Sequence, residues 1–389
     1  MRAAVRMLRK ILERYVHTHT EGFMQRTATH VIRKWLYYWP ILALLVLLFS
    51  WGSHPSGLAI ALLGIVLGGA VMAAVEHAEV VAHKVGEPFG SLILALAVTI
   101  IEVGMIIMLM TSNPSTSATL ARDTVFAATM LTTNMIIGLA LLAATRKGPF
   151  AYFNKEGTGT AFTAMFVLAT VTMVIPTFTT SAPEGVFATS QLIFVGVMAL
   201  LIWGAFVLTQ TRGHRDFFMP ITKNGEIMKI EEHAARPSKR RTFASLGLLM
   251  LSLISVVGIS KILSYPIEDV VTKFHLPQAL VGVVIALIVL MPETIASVNN
   301  AQRGRTQIAM NLGYGSALAS IGLTIPTIGI ISLMLDMRLV LGLEPVHMAL
   351  LVLTGLMSAL TIVQGRALRL QGAMHLVVAA AYVFLVAVP

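Results

Sequence analysis

The sequence predicts an all-α, polytopic membrane protein of about 11 transmembrane helices, with two inverted five-helix repeats after one extra N-terminal helix. Three observations lead there. Hydrophobic residues make up 56% of the 389-residue chain and charged residues only 12%, with a mean hydropathy of +0.82; soluble domains carry about 25% charged residues. Apolar runs of membrane length recur from end to end. Two of them, GEPFGSLILALAVTIIEVGMIIMLM from residue 86 and PQALVGVVIALIVLMPETIASV from residue 277, each hold one deep acid, and at an offset of 191 Glu102 falls on Glu293.

In chain order, residues 1–35 form a basic segment in which Val5, Leu8, Leu12 and Val16 recur at helical spacing. This reads either as an amphipathic helix on the membrane surface or as a basic tail. Residues 36–55 supply the extra transmembrane helix, 56–210 the first five-helix repeat, 211–242 a polar loop, and 243–389 the second repeat. The eleven apolar runs lie at 37–52, 56–75, 88–111, 123–144, 160–176, 188–210, 243–263, 277–298, 307–333, 345–364 and 373–388. Pro326 sits inside the long ninth run and predicts a kink or break there. The chain has no Cys, which excludes a disulfide framework and thiolate metal ligands. No cleavable signal sequence is evident ahead of the first run.

Charge orients the chain. With the N-terminus in the cytoplasm, 24 of the 28 Lys and Arg residues fall on the cytoplasmic side, and only Arg122, Lys261, Lys273 and Arg338 fall outside. Such asymmetry is the signature of membrane topology, so the formal charge of +10 is read as topology rather than as nucleic-acid binding. Each half contains five spans, an odd number, so the Glu102 and Glu293 segments run in opposite directions.

An ionised carboxylate at bilayer depth costs several kcal/mol on most scales and normally marks an ion or proton path. Two of them at matching places in antiparallel segments predict a symmetric ion site. The span after each acid is rich in small and hydroxyl residues: Thr129, Thr132, Thr133 and Asn134 in one, Gly313, Gly315, Ser316, Ser320 and Thr324 in the other. These serve either close helix packing or neutral oxygen ligation beside the acids. Thr99, Asn134, Ser316 and Ser320 are the candidate ligands. Glu76, Glu79 and His83 share one helical face at the inner end of the second span, as a cation funnel and pH sensor or as a solvated helix end. Asp123, after Arg122, suits a helix N-terminus.

Several motifs carry a family resemblance. They are Gly86-Glu87-Pro88, Ala97-Val98-Thr99-Ile100-Ile101-Glu102, Ala121-Arg122-Asp123-Thr124, the 210–216 stretch QTRGHRD, the 277–282 stretch PQALVG, Leu290-Met291-Pro292-Glu293 and the 315–326 stretch GSALASIGLTIP. In these the chain resembles the calcium/cation antiporter superfamily, and within it the bacterial calcium–proton (sodium, potassium–proton) antiporters, over most of residues 36–389. The resemblance implies that the paired repeats build the cation site and that Glu102 and Glu293 bind cation and proton alternately. It further implies a bacterial inner (plasma) membrane location, inorganic cations, protons and lipids as partners, and no cofactor beyond the transported ion. In the plant and fungal branch a Gly-Asn pair precedes the first acid; here only Thr99 stands in that stretch, and the resemblance carries over the two glutamates alone.

The charge count sets the expected chemistry. Two carboxylates carry −2, which one Ca²⁺ or two protons neutralise. Desolvation and like-charge repulsion disfavour leaving the pair bare and ionised. Occupancy by cation or by protons, but not neither, is the coupling step of an exchanger. Residue types fit Ca²⁺ best, with Na⁺ or K⁺ plus a retained proton left open. A passive cation channel is the rival transport reading, although two inverted halves in one chain favour alternating access. The sequence does not read as an enzyme: it has no HExxH, no GxSxG and no Cys, and GYGSAL from residue 313 fails the dinucleotide pattern.

Overall fold

The computed structural model describes residues 35–86, 89–112, 118–146, 148–228 and 237–389. Residues 1–34 of the basic N-terminal segment and residues 229–236 of the 211–242 loop lie outside the described residues. The architecture is a helical bundle with one short two-stranded ribbon among the described residues. Among the described residues nine helices are long and apolar enough to cross a membrane, one further bent helix pair has the same character, and the 16-residue α1, Trp35–Ser50, is shorter.

The first half comprises α2 (Leu58–Val85), α3 (Phe89–Ser112), α4 (Leu120–Met130) continuing through a π-turn (Leu131–Ile136) into α5 (Ile137–Ala144), α6 (Lys155–Ala169) and α7 (Thr189–Leu208). The second comprises α8 (Lys239–Lys273), α9 (Ala279–Val289) with α10 (Met291–Gln302), α11 (Thr306–Ala319) continuing through a π-turn (Ser320–Thr324) into α12 (Ile325–Met334), α13 (Pro345–Ile362) and α14 (Arg369–Ala387). The halves pack alike: α7 lies against the Ser320–Thr324 turn and α12, as α14 lies against the Leu131–Ile136 turn and α5. At 28 residues α2 spans about 42 Å. It therefore outruns a hydrocarbon core of about 30 Å and carries Glu76, Glu79 and His83 toward the headgroups.

Local chemistry sets the helix ends. Asn154 caps α6, its side-chain oxygen accepting from the backbone N–H groups of Glu156 and Gly157 at 3.0 and 3.1 Å. Ser238 caps α8 through the N–H of Arg241. Gly69 in the GIVLGG stretch admits α1: a Cβ there would stand 1.9 Å from the indole nitrogen of Trp39, which donates to the carbonyl of Val66 at 3.1 Å.

Two sequence expectations are corrected. The 277–298 run is two helices bent by 51° at Leu290, not one straight span. Pro292 lacks an N–H, and its ring clashes with the carbonyl four residues back, so α9 stops and α10 restarts with Pro in its first turn. In the ninth run the ladder loosens just before Pro326, into the Ser320–Thr324 π-turn, and Pro326 opens α12 without a sharp break.

Loops collect at two ends. At one end β1 (Phe150–Tyr152) pairs antiparallel with β2 (Arg366–Leu368), Gln307 accepts from the backbone N–H of Asn154 at 2.6 Å, and Asn311 donates to the carbonyl of Phe218 at 2.8 Å. At the other, the N–H of Val340 donates to Ala118, that of Leu343 to Met173, and Arg338 pairs with Glu184. These ends gather the two sets of loops that the Lys/Arg count separates.

Candidate ion site

Between the halves lies a cavity of about 200 Å³ whose lining includes Glu102, Glu293 and Glu79. Helices α3, α9, α10 and α11 supply most of its wall, while Glu79 comes from α2 and Gln210 from the end of α7. Glu79 is exposed to solvent, Glu293 is half-buried, and Glu102 is buried at 3% exposure. The three acids thus run from a watery mouth to a dry interior. The mouth opens at the β1–β2 end, where Asn311 of the wall meets Phe218.

The two repeat acids are held differently. Glu102 lies within the unbroken α3 and accepts two short hydroxyl bonds across the halves, from Ser320 Oγ at 2.6 Å and Thr324 Oγ1 at 2.8 Å. Both donors come from the Ser320–Thr324 turn. A π-turn widens the helix by one residue and re-aims the side chains that follow, which brings the pair onto one carboxylate. Glu293 instead sits in the first turn of α10, opened by the Pro292 break, where free backbone N–H groups and the positive helix end favour an anion. Its Oε2 is buried and accepts no hydrogen bond from the described residues.

Of the candidate neutral ligands, Thr99, Ser316 and Ser320 line the cavity with the acids. Thr99 donates to the carbonyl of Ala95 at 2.8 Å, which leaves its oxygen lone pairs available. Asn134 is set apart. Its amide donates to Thr354 Oγ1 at 3.0 Å, and its oxygen faces His375 Nδ1 at 3.2 Å, behind the first π-turn. It is there because α14 packs on that turn and demands polar partners for a fully buried amide. Glu76 is half-buried and His83 exposed on α2; neither lines the cavity, whereas Glu79 does. Sequence reasoning did not single out Gln210 or Asn311 of the wall, nor Thr324 as a partner of Glu102. The repeat offset, which lays Thr133 on Thr324, holds a signal for Thr324, whereas Gln210 and Asn311 depend on tertiary assembly.

At the opposite end α9 and α4 pack closely. Gly282 of α9 meets α4 backbone to backbone: a Cβ there would stand 2.8 Å from the carbonyl carbon of Asp123 and from the amide nitrogen of Thr124. Arg122 and Asp123, both buried, form an ion pair at 2.8 Å. Arg122 also donates to the carbonyl of Gly342 at 2.8 Å, and Thr119 donates to Asp123 at 2.8 Å. Asp123 thus lies in the first turn of α4, as expected of an acid at a helix N-terminus, and there it also binds Arg122 and the Thr119 hydroxyl. The repeats are symmetric in sequence but not in packing. Helix α9 touches α4, while their counterparts α3 and α11 face each other across the open cavity.

Inverted halves, a bent helix that starts at a carboxylate and a central cavity between the halves are the features of a secondary transporter. Residues 55–212 and 244–388 match the sodium/calcium exchanger protein family. The chain is 41% identical over 328 residues to y4hA of Sinorhizobium fredii, named as an ionic transporter, covering 83% of this chain and 87% of that one. It is 33% identical over 347 residues to the sodium-potassium/proton antiporter ChaA of Escherichia coli, covering 88% and 93%. The fold matches that of the Ca²⁺/H⁺ antiporter protein YfkE with a TM-score of 0.66 at 16% identity, over 91% of this chain and 98% of that one. The chain belongs to the sodium/calcium exchanger family, within the calcium/cation antiporter superfamily, and is an integral membrane ion antiporter.

Proposed function

We propose that the protein exchanges a cation for protons by alternating access, with Glu102 and Glu293 as the shared cation/proton site and Ca²⁺ as the cation their combined charge fits best. The observation that carries this reading is that the two acids, 191 positions apart, line one cavity together with the exposed Glu79. Two carboxylates with Thr99, Ser316 and Ser320 beside them form an all-oxygen lining suited to a hard cation. When the cation leaves, the carboxylates must take up protons, because a bare double charge is costly at that depth. Each carboxylate therefore carries either a share of the cation or a proton, and the two ions move in opposite directions.

On this reading the structure is the cytoplasm-facing state, since the cavity mouth lies at the end rich in Lys and Arg. A second reading, Na⁺ or K⁺ exchanged for protons, draws support from the similarity to ChaA, a sodium-potassium/proton antiporter. The charge balance then requires one carboxyl to stay protonated with a monovalent ion bound. A screen of Ca²⁺, Na⁺, K⁺ and Mg²⁺ against an imposed pH gradient in everted vesicles separates the readings. Ca²⁺-dependent dissipation of the gradient supports the first; response to Na⁺ or K⁺ alone supports the second. Cation flux that persists with proton movement blocked would mean a channel and would overturn both.

A further inference from the structure

We infer that Thr129 and Thr133 form a second hydroxyl latch, which receives Glu293 when the protein opens to the opposite side. The inference rests on the proposed two-glutamate site. It starts from an imbalance between the halves. Ser320 and Thr324 both donate to Glu102. The offset that lays Glu102 on Glu293 lays Thr129 on Ser320 and Thr133 on Thr324, so the first half carries the same hydroxyl pair at the same spacing. It also lays Ala128 on Ala319, and both of these line the cavity. The alignment therefore holds in space as well as in sequence.

In this structure the first-half pair is idle. Thr129 and Thr133 are fully buried, and their hydroxyls turn back to the carbonyls of Val125 and Thr129 at 2.8 and 2.6 Å. Such back-bonding is the default of a helical Thr with no better acceptor. Across from them, α10 packs on α5 and on the π-turn that holds Thr133, and the buried Oε2 of Glu293 has no hydrogen-bond donor among the described residues. A buried carboxylate oxygen without a donor and two buried hydroxyls spent on their own helix are one unmade set of contacts. Exchanging the roles of the inverted halves makes that set and releases the other. Glu102 would then lose Ser320 and Thr324 as Glu293 gains Thr129 and Thr133. The number of charge-assisted hydrogen bonds is conserved, which keeps the two states close in energy.

The latch makes Thr129 and Thr133 positioning residues, acting on the carboxylate. The test uses the double variants T129V/T133V, which keep shape without the hydroxyl, and T129S/T133S, which keep the hydroxyl. Ca²⁺-driven and Na⁺-driven proton flux is measured in everted vesicles, with E102Q as the reference for a lost ion site. A single cysteine replacing Gln210 at the cavity mouth reports the open end by thiol labelling, since the chain has no other cysteine. The valine pair should lower exchange by about tenfold or more, the effect of losing hydrogen bonds to a charged group. The serine pair should stay within a few-fold of the parent. Labelling at the mouth should remain at its maximum in the valine pair and should stop responding to the imposed gradient. Parental exchange by the valine pair, with E102Q inactive, would overturn the latch but not the two-glutamate site. Loss of exchange with mouth labelling that still follows the gradient would also overturn it. Full exchange by E102Q would instead overturn the reading on which the latch rests.

Discussion

Gly282→Ala tests alternating access without touching an ion ligand. The added methyl carbon would sit 2.8 Å from two backbone atoms of α4 and 3.1 Å from the Asp123 carbonyl oxygen. Ordinary contact needs about 3.4 Å or more, so α9 and α4 must part by roughly half an ångström. Backbone atoms cannot step aside as a flexible side chain can, and overpacking of this kind costs about 1–3 kcal/mol. The cost falls only on the state in which the two helices touch. The opposite-facing state should gain about 5- to 150-fold in relative population. Ala121 of α4 provides the reporter: it is buried at 2% exposure, and the repeat offset pairs it with Leu312 of the open cavity. A cysteine at Ala121 should label slowly from the outer face in the parent, in proportion to the minor state. In the Gly282→Ala background labelling should rise by the same factor, with thermal stability in detergent showing that the fold persists. An unchanged labelling rate in a folded variant would refute the claim that the α9–α4 contact closes the outer path.

Two further outcomes follow from the same geometry. Reporters fused near Lys223 and near Ser181 should appear on opposite faces of the membrane, the first cytoplasmic; finding both on one face would remove the inverted-repeat topology. Pro292→Ala restores an N–H and should heal the 51° break, leaving the helix as stable as before or more so, by up to about 3 kcal/mol. Exchange should nevertheless fall by about tenfold, because Glu293 loses its place at a helix start; a parental rate in flux assays would show that the bend has no role at the site.

The fold class and the pair of acids were legible because both depend on local rules. Membrane-length apolar runs, the distribution of Lys and Arg and the cost of burying Glu102 and Glu293 need no tertiary information. The sequence places a proline in both runs, and the sharp break falls at Pro292 rather than at Pro326. The difference is position: Pro292 follows ten apolar residues of an established helix and stops it, whereas Pro326 follows a π-turn that has already loosened the ladder. Asn134 matched a ligand by type, but the side on which α14 packs gives it to His375. Glu79 read as part of a helix-end cluster, and only the approach of α2 to α10 puts it on the wall of the cavity. The Ser320 and Thr324 bonds to Glu102 cross between halves 218 and 222 residues apart, beyond the reach of helical periodicity.

Proton-coupled flux in Glu102→Gln and Glu293→Gln variants tests the central claim most directly. Gln keeps the shape and most of the hydrogen-bonding capacity of Glu but cannot hold a titrating charge. Each variant should insert and fold as the parent does, yet fail to dissipate an imposed pH gradient in everted vesicles when Ca²⁺, Na⁺ or K⁺ is added. The corresponding Asp variants, which keep the charge one methylene short, should retain part of the flux. Parental exchange of all tested cations by either Gln variant would show that its carboxylate is structural, and the two-glutamate site would be wrong.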